Sequence, residues 1–415
     1  MKVIDVTEFY SIRGGGVRSH LTDKGHVSCQ LGNDHWVIAP GERTTLQVVE
    51  KGENATGQSR VHYVGGPALP YDPTYHLLWR VDAVRRLVRQ EQPDVVEIHS
   101  PYVAAASCLS LPRKLFGIRT FVWHADFIDT YLRGPLARRL SASAVDRVLE
   151  PLWAWVRTIA SGCDATFVAS RWQAEKLLSH GVERVSYLPF GVDKRRFAPS
   201  ARNESVRREV LGAGRGPLLV AIGRFAVEKR WDVVLDAFFA LRERRARDGS
   251  ERATLAIFGD GPERQRMEAR VAGAGDVRFF GFERDRGRLA SVLASADLLI
   301  HGCPYETFGL GIAEAVSCAT PIVVPDEGGA AEQALPGASE IYPAGDAVAC
   351  MRAVERLLGR DRTEVLTYAH RAAESVPSVE EHFKHLFSTY EDLLKKERPL
   401  ERSRIDSRRR ARISQ

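Results

Sequence analysis

The sequence predicts two doubly wound α/β domains that face each other across a cleft. Three observations support this fold class. The chain has 415 residues, which is enough for two domains at roughly 150 residues each. Short runs rich in β-branched residues alternate with segments of helical period, as is typical of parallel sheets covered by helices. This alternation restarts after residues 189–203, where Pro, Gly and charged residues mix and indicate an interdomain linker.

The first half opens with a strand, a polar loop that contains Gly14–Gly16, and a helix predicted from about Val17. Apolar residues in 77–88 recur at helical spacing and predict an amphipathic helix. A longer helical stretch covers 135–160, whereas the polar segment 42–60 fits no element well. The predicted strands of this half are Val3–Val6, Trp36–Ala39, Asp94–Ile98, Thr120–Trp123, Asp164–Val168 and Val185–Leu188.

The second half repeats the alternation without repeating the sequence. The predicted organisation is a first domain over 1–190 and a second domain over 204–377. A helix over about 378–396 is expected to pack back on the first domain, and a basic, disordered tail is expected over 397–415. The predicted strands of the second half are Leu218–Ile222, Ala253–Phe258, Val277–Phe280, Leu298–His301, Pro321–Val324 and Glu340–Tyr342. Ligands of such sheets bind at the carboxyl ends of the strands.

Composition and charge exclude several classes of protein. The formal net charge is +6, but residues 395–415 hold nine bases and three acids, and the rest of the chain holds 50 of each. The folded body is therefore neutral, which argues against a nucleic-acid partner. The six cysteines show no zinc or C-x-x-C spacing and indicate buried thiols in a reducing compartment. No segment is long and apolar enough to span a membrane, and acids in the first eight residues do not fit a signal peptide. We expect a cytoplasmic protein.

The strongest motif is Cys303–Ala315, which joins a strand to a helix predicted to begin near Phe308. Free backbone amides at 308–310 would form a site for phosphate oxygens. Glu306 lies in the loop and Glu314 lies within the helix, so the two carboxylates could grip separate parts of one hydroxyl-rich ligand. The alternative is a solvated Glu306 and a Glu314 that favours the helix dipole.

The second motif is Gly223–Lys229, which follows a strand and precedes a helix. Arg224 offers a fork for two oxygens and Lys229 adds a compact charge, so together they could neutralise a diphosphate. No Asp-x-Asp sequence, the usual carrier of a divalent cation at a nucleotide-sugar, occurs in the chain. The sequence therefore predicts a site without metal. The alternative is a surface salt bridge with Glu228.

Two weaker signals lie in the first half. His124 follows the strand Thr120–Trp123 and would lie in an interdomain cleft, although a structural histidine is the alternative. The run Gly14–Gly16 is similar to a phosphate-binding loop. It lacks the Gly-x-Gly-x-x-Gly pattern and the Walker lysine, so a flexible turn is the alternative there.

Taken together, these motifs resemble those of the family 4 retaining glycosyltransferases of GT-B fold. The resemblance rests on four segments and covers about residues 1–395. The segments are Glu306-x7-Glu314 within E-T-F-G-L-G-I-A-E-A, G-R-x-x-x-E-K at 223–229, the glycine loop, and P-F-G-V-D-K-R-R-F at 189–197.

The resemblance implies roles for the matched positions. His124 would lie against the donor sugar near its anomeric carbon, Glu306 would contact the transferred sugar, and Arg224 and Lys229 would bind the diphosphate. Transfer would keep the anomeric configuration by front-face attack, without a nucleophilic carboxylate and without a metal or other cofactor. The implied donor-binding set is Gly15 and Gly16 under the diphosphate, Gly223, Arg224, Lys229, Phe282 near the base, Phe308, Gly309, Leu310, and Glu314 on the ribose.

The resemblance also implies substrates and partners. The sequence H-A-D-F at 124–127 and the start G-G-G-V-R-S-H resemble members that transfer mannose from GDP-mannose, which favours that donor over a UDP-hexose. A lipid-linked sugar, a polyol lipid or a polysaccharide would be the acceptor. A GT-B epimerase or phosphorylase and a non-enzymatic binding protein are the alternatives. Anionic membrane is a further candidate partner, through the basic tail, for which a solvated segment is the alternative. Core packing is the expected role of Trp153 and Trp155, and an interfacial patch around them is the alternative.

Overall fold

The computed structural model describes residues 1–10, 15–49, 56–69 and 72–413, and it describes side chains except those of 72–74 and of 397 onward. Two sheets dominate the described residues, and each is covered by helices. The strands are β1 (Lys2–Val6), β2 (Asp34–Gly41), β3 (Thr45–Val48), β4 (Ser59–Gly65), β5 (Ala68–Leu69), β6 (Asp72–His76), β7 (Val95–Ile98), β8 (Ile118–Val122), β9 (Ala165–Val168), β10 (Val185–Tyr187), β11 (Leu218–Ile222), β12 (Thr254–Phe258), β13 (Val277–Gly281), β14 (Leu298–Ile300), β15 (Ile322–Pro325) and β16 (Ser339–Tyr342).

Helices connect most of these strands. Short 3₁₀ turns at 113–115, 199–201 and 227–229 and a π-helical turn at 129–133 complete the described elements. The α-helices are α1 (Gly16–Gln30), α2 (Val81–Glu91), α3 (Val103–Leu109), α4 (Gly134–Ala137), α5 (Ala142–Ser161), α6 (Arg171–Ser179), α7 (Glu204–Leu211), α8 (Trp231–Arg247), α9 (Arg264–Arg270), α10 (Arg286–Ser295), α11 (Leu310–Ser317), α12 (Gly328–Ala331), α13 (Ala347–Leu358), α14 (Arg362–Ser375) and α15 (Val379–Ile413).

The first sheet has the order β10-β9-β8-β7-β1-β2-β4-β3 in the described residues. Its strands are parallel except β3, which pairs antiparallel to β4. Strand β1 is a continuous buried run from Val3 to Val6, as expected where helices cover both faces of a sheet. We call this sheet with its helices the N-terminal lobe. The polar segment that fitted no predicted element supplies β3 and the start of β4.

The second sheet has the order β13-β12-β11-β14-β15-β16, and all of its pairings are parallel. Strands β11 and β14 lie at its centre, where Leu219 and Leu298 are fully buried. The strand order reverses between these two strands, which is the point where doubly wound sheets bind ligands. We call this sheet with its helices the C-terminal lobe.

Helix α15 returns from the C-terminal lobe to the N-terminal lobe. Its buried residues Phe383, Leu386 and Tyr390 pack in one cluster with Val95 of β7 and Ile118 of β8. The helix backbone continues through Ile413, which differs from the disordered tail predicted from 397. The side chains of that last stretch and residues 414–415 lie outside the described part of the chain.

The helical stretch predicted over 135–160 is divided in the structure. The turn of α4 ends at Ala137, and α5 begins at Ala142 after Ser141 takes an extended conformation. Trp153 of α5 is fully buried and stacks on His180 with ring centroids 3.7 Å apart. Trp155 donates from Nε1 to the Pro101 carbonyl at 2.6 Å. Both indoles therefore pack against the N-terminal lobe, which agrees with core packing for these residues.

Candidate functional site

The two lobes meet at the carboxyl ends of strands that carry the predicted motifs. His124 follows β8 in the N-terminal lobe, and Thr307 lies between β14 and α11 in the C-terminal lobe. The Thr307 hydroxyl donates to the His124 carbonyl oxygen at 2.7 Å. The sequence predicted both segments at carboxyl strand ends, and the structure joins them by a direct hydrogen bond across the cleft.

The loop before α11 presents free backbone amides to the cleft. The helix begins at Leu310, two residues after the predicted start, because Gly309 takes a left-handed φ of 83° and ends the preceding loop. Among the described residues, no backbone or side-chain acceptor takes the amides of Phe308, Gly309 or Leu310. The Gln333 side chain donates to the carbonyls of Phe308 and Gly309. The loop is thus held through its carbonyls while its amides stay available for an anion.

Gly328 at the start of α12 packs against the loop that carries Glu306. Its φ is 73°, and a Cβ there would lie 2.5 Å from the Pro304 carbonyl oxygen and 2.9 Å from that of Glu306. The amide of Gly329 donates to the Glu306 carbonyl at 2.7 Å. Any side chain at position 328 would therefore displace the backbone that carries Glu306.

Lys229 and Glu306 form an ion pair inside the C-terminal lobe. His301 Nε2 lies 3.2 Å from Glu306 Oε1, the same oxygen that Lys229 contacts. Burial by itself raises the pKa of Glu306, but the nearby Lys229 and His301 outweigh it and leave the pKa lowered. Burial likewise lowers the pKa of Lys229, and Glu306 outweighs it so that the pKa is raised. Both groups are therefore charged at neutral pH.

Arg224 lies exposed in the same loop as Lys229, directly after Gly223 at the end of β11. The Trp231 indole donates to the Arg224 carbonyl at 3.0 Å and fixes the loop backbone. Tyr131 faces this loop from the π-helical turn of the N-terminal lobe. Burial raises the pKa of Tyr131 and Glu228 raises it further, while Arg224 and Lys229 act in the opposite direction. Tyr131 is therefore close enough to this loop for its charges to act on the phenol.

The glycine loop lies on the N-terminal side of the cleft. Gly15 has a φ of 130°, and a Cβ there would come 3.8 Å from the Tyr75 hydroxyl. Gly16 begins α1, and a Cβ at this position would meet nothing within 4 Å among the described residues. The backbone therefore borders open space at the start of a helix. Gly14 lies outside the described residues.

His124 is surrounded by rings at the bottom of the cleft. Its Nε2 lies 2.7 Å from Nδ1 of His99, and its ring stacks on Phe190 with centroids 5.5 Å apart. The ring of His20 lies 5.2 Å away. Burial and then the charge of His99 lower the pKa of His124 well below its usual value. His124 is therefore a neutral imidazole.

Glu314 is buried within α11 and is paired with Arg286 at the start of α10. Burial raises the pKa of Glu314, and Arg286 only partly offsets this effect. Arg286 also lies 4.7 Å from the ring centroid of Phe197. Phe282 follows β13 at the sheet edge with 54% of its surface exposed, and no described contact joins it to the Lys229–Glu306 pair. Glu314 is thus buried in its pair with Arg286, whereas Phe282 is an exposed side chain at the edge of the sheet.

Three groups of side chains in the described residues have the spacing to hold a metal ion, and in each a hydrogen bond or an ammonium is already present. His99 and His124, which form one group with His20, are hydrogen-bonded to each other. Asp5 and Glu97, grouped with His99, both bind Lys24. The third group is His301, Cys303 and Glu306, in which Lys229 binds the carboxylate.

Sequence reasoning missed several residues of this site. Arg286 and Tyr131 lie in helical turns with no motif around them. His301 and His99 directly follow β14 and β7, so the same argument that selected His124, a polar side chain at a carboxyl strand end, would have found both. Thr307 lies within the strongest motif, in which sequence reasoning selected only the glutamates and the backbone amides.

Comparison with known proteins identifies relatives of both lobes. A family profile described as Glycosyltransferase Family 4 matches residues 14–196, and one described as Glycosyl transferases group 1 matches residues 216–360. A GDP-mannose-dependent alpha-(1-6)-phosphatidylinositol dimannoside mannosyltransferase of Mycobacterium tuberculosis is 31% identical over 326 residues, 78% of this chain and 79% of that protein. A GDP-mannose-dependent alpha-mannosyltransferase of the same species is 30% identical, with 75% and 74% covered.

Solved structures show the same fold. Sucrose-phosphate synthase from Thermosynechococcus elongatus superposes with a TM-score of 0.75 at 17% identity, over 95% of this chain and 99% of that one. The Anabaena protein Alr3699/HepE, in complex with UDP and glucose, gives 0.66 at 16% identity, over 94% and 99%. These likenesses confirm the predicted fold class of two facing Rossmann-like domains. Within the described residues, no helix combines the length and the apolar character needed to cross a membrane.

Proposed function

This chain belongs to the family 4 glycosyltransferases, which have the GT-B fold, and on that premise we propose that it transfers mannose from GDP-mannose to a lipid-linked acceptor. We further propose that transfer retains the anomeric configuration and needs no metal ion. The observation that carries the proposal is the hydrogen bond from Thr307 to the His124 carbonyl. Thr307 follows Glu306 in the loop before α11, and Glu306 is paired with Lys229. The hydrogen bond brings the implied sugar and diphosphate groups into one cleft.

Lys229 and Arg224 would stabilise the departing nucleotide diphosphate. As the glycosidic bond breaks, negative charge develops on the leaving phosphate, and fixed cations stabilise it most where water is excluded. The Lys229 ammonium has three donors, of which Glu306 takes one. The others remain for phosphate oxygens. The amides at 308–310 would add neutral donors at the start of α11.

Glu306 would accept hydrogen bonds from hydroxyls of the transferred sugar. Its lowered pKa keeps it ionised, because Lys229 and His301 outweigh the effect of burial. An ionised carboxylate held on a lysine is a strong hydroxyl acceptor and a poor nucleophile. This supports front-face transfer with retention, in which the acceptor oxygen attacks from the side on which the diphosphate leaves.

The cations already present support a site that works without metal. Lys229 is already paired with Glu306, a carboxylate that could otherwise help to bind a divalent ion, and Arg224 lies in the same loop as Lys229. Turnover is expected to persist in excess EDTA. Turnover that is lost in EDTA and restored by Mg²⁺ or Mn²⁺ would contradict this part of the proposal.

The relatives named above use GDP-mannose, which supports GDP as the nucleotide. The decisive experiment measures thermal unfolding with GDP, UDP or ADP, followed by turnover of GDP-mannose and UDP-hexoses with a phosphatidylinositol mannoside acceptor. The largest stabilisation is expected with GDP, and the product is expected to be an α-mannoside. A larger shift with UDP, together with transfer only from a UDP-hexose, would contradict the choice of donor.

We also propose that the protein associates peripherally with anionic membrane. The support is the phosphatidylinositol mannoside acceptor of a relative and the cluster of bases at the end of the chain, where 395–415 holds nine Lys/Arg. Each base near an anionic surface contributes on the order of 1 kcal/mol. Co-sedimentation with phosphatidylglycerol vesicles is expected to fall when 398–415 is deleted. Unchanged co-sedimentation would remove the tail from the proposal.

A further inference from the structure

A buried charge network lies directly beneath His124 in the N-terminal lobe. Asp5 of β1 and Glu97 of β7 are paired neighbours in the sheet, and both carboxylates are fully buried. Lys24 of α1 donates to Asp5 Oδ1 and to Glu97 Oε1, both at 2.7 Å. Tyr390 of α15 donates to Glu97 Oε2 at 2.5 Å, and Thr120 donates to the same oxygen at 2.7 Å. Five elements of the lobe, β1, β7, β8, α1 and α15, therefore meet at these two carboxylates.

This network has one more negative charge than Lys24 can neutralise. His35 Nε2 lies 2.6 Å from Asp5 Oδ2, but burial lowers the pKa of His35, so it is a neutral donor. His99 Nε2 lies 3.4 Å from Asp5 Oδ1 and 3.3 Å from Glu97 Oε1. A fully buried site does not tolerate an unbalanced charge, and His99 is the group placed to supply the second cation.

The electrostatics of His99 agree with this assignment. Burial acts to lower the pKa of His99, but Asp5 and Glu97 outweigh it, and the pKa is raised. The groups that face His99 from other elements are His20 and Lys24 of α1, His35 of β2 and His124 after β8. His20 and His124 both have a lowered pKa because of burial. Among these imidazoles, the charge therefore rests on His99.

We propose that His99 is a positioning residue for the transfer reaction, because its charged ring fixes the tautomer of His124. A doubly protonated His99 has a hydrogen on Nδ1, and this atom lies 2.7 Å from His124 Nε2. His124 must then accept at Nε2 and carry its single proton on Nδ1. No described residue hydrogen-bonds His124 Nδ1. That N–H is the donor His124 offers to a ligand, and this last step rests on the proposed function.

The tautomer can be measured without any assay of activity. The full chain is labelled with ¹⁵N-histidine, and the signals of His99 and His124 are assigned by their loss in His99→Asn and His124→Asn. We expect a protonated Nδ1 and an unprotonated Nε2 for His124 at pH 7, and two protonated nitrogens for His99. A protonated Nε2 on His124, or a neutral His99, would overturn the proposal even if the enzyme is a mannosyltransferase.

Kinetics then separate positioning from structural support. In His99→Leu, kcat is expected to fall on the order of 10-fold or more while KM for GDP-mannose stays within about twofold. His99→Asn keeps an N–H donor near the Nδ1 position and is expected to recover most of kcat. The exposed His26→Asn is the matched control and is expected to match the wild type. Equal losses in the Leu and Asn variants, together with equally lowered unfolding temperatures, would show a structural role and overturn the proposal.

A double substitution closes the test. In a His124→Ala background, His99→Leu is expected to change kcat by less than about twofold, because a positioning residue acts only through the residue it positions. A loss as large as in the wild-type background would overturn the proposal. Absence of transfer by the wild type from any nucleotide sugar would instead contradict the proposed function and leave the tautomer measurement unaffected.

Discussion

Each lobe contains a lysine bound to a glutamate, and the two pairs differ in their access to solvent. The side chain of Lys24 has 0% of its surface exposed, and it is enclosed by Asp5, Glu97 and Tyr390. The side chain of Lys229 keeps 22% exposed beside the cleft. An enclosed ammonium can only hold its own lobe together, whereas a partly exposed one can exchange a partner for a ligand. The same kind of ion pair is thus closed to ligands in one lobe and accessible to them in the other.

The largest effect is expected from breaking the enclosed pair. Lys24→Met leaves the carboxylates of Asp5 and Glu97 buried without their main cation, and such a loss typically costs about 3–5 kcal/mol. Urea unfolding should show this loss, and the exposed Lys384→Met should stay within about 0.5 kcal/mol of the wild type. A loss below about 1 kcal/mol for Lys24→Met would mean that the two pairs do not differ as described.

Breaking the accessible pair, Lys229 with Glu306, should lower turnover while leaving the protein folded. Lys229→Ala and Glu306→Ala are each expected to lower kcat on the order of 10²-fold, by analogy with removal of one charge-stabilising group, while both variants remain folded. The measurement is steady-state turnover of GDP-mannose beside a urea unfolding curve. Near-wild-type turnover in both variants would remove the Lys229–Glu306 pair from the active site.

A carboxylate at the junction of the lobes gives a pH test. Burial, and then Asp193, raises the pKa of Asp23 to about 7, and Arg286 partly offsets this. Because the folded pKa lies above the unfolded value, the group's stabilising effect is present below about pH 4 and is lost as the pH rises through 7.

The free energy of unfolding of Asp23→Asn minus that of the wild type should therefore be larger at pH 8 than at pH 5. The expected increase in this difference is about 1–3 kcal/mol. Chemical unfolding at the two pH values measures this. The exposed Asp248→Asn is the control and should show no such pH dependence. Equal differences between Asp23→Asn and wild type at both pH values would contradict the raised pKa.

The smallest effect is expected at an exposed contact between the lobes. The Glu332 carboxylate accepts from the amides of Arg171 at 3.0 Å and Trp172 at 2.5 Å, at the start of α6. Glu332→Gln removes a charge from a helix N-terminus and should cost about 0.5–1 kcal/mol. The neighbouring Glu327→Gln is the control in the same thermal unfolding series. An equal change in both variants would mean that the contact contributes nothing specific.

Local pattern predicted most of the fold and placed the candidate residues at the carboxyl ends of strands. The strand at 298–301 and the glycines after it were enough to predict a loop with free amides before α11, because strand ends and free helix amides are local properties. The helix α11 begins two residues later than predicted, because Gly309 takes a left-handed conformation that the residue type permits but does not dictate. The pairings of Glu314 with Arg286 and of Glu97 with Lys24 join residues far apart in sequence, and a single sequence carries no signal for them.

The glycine at the start of α12 limits how this enzyme can be engineered. A Cβ there would collide with the carbonyls of Pro304 and Glu306, so a substitution at 328 would distort the loop that carries Glu306 whatever residue were introduced. A mutant library intended to alter donor choice should therefore leave 328 constant and diversify exposed positions such as Phe282 and Tyr131. Variation there changes side chains without moving the scaffold on which recognition depends.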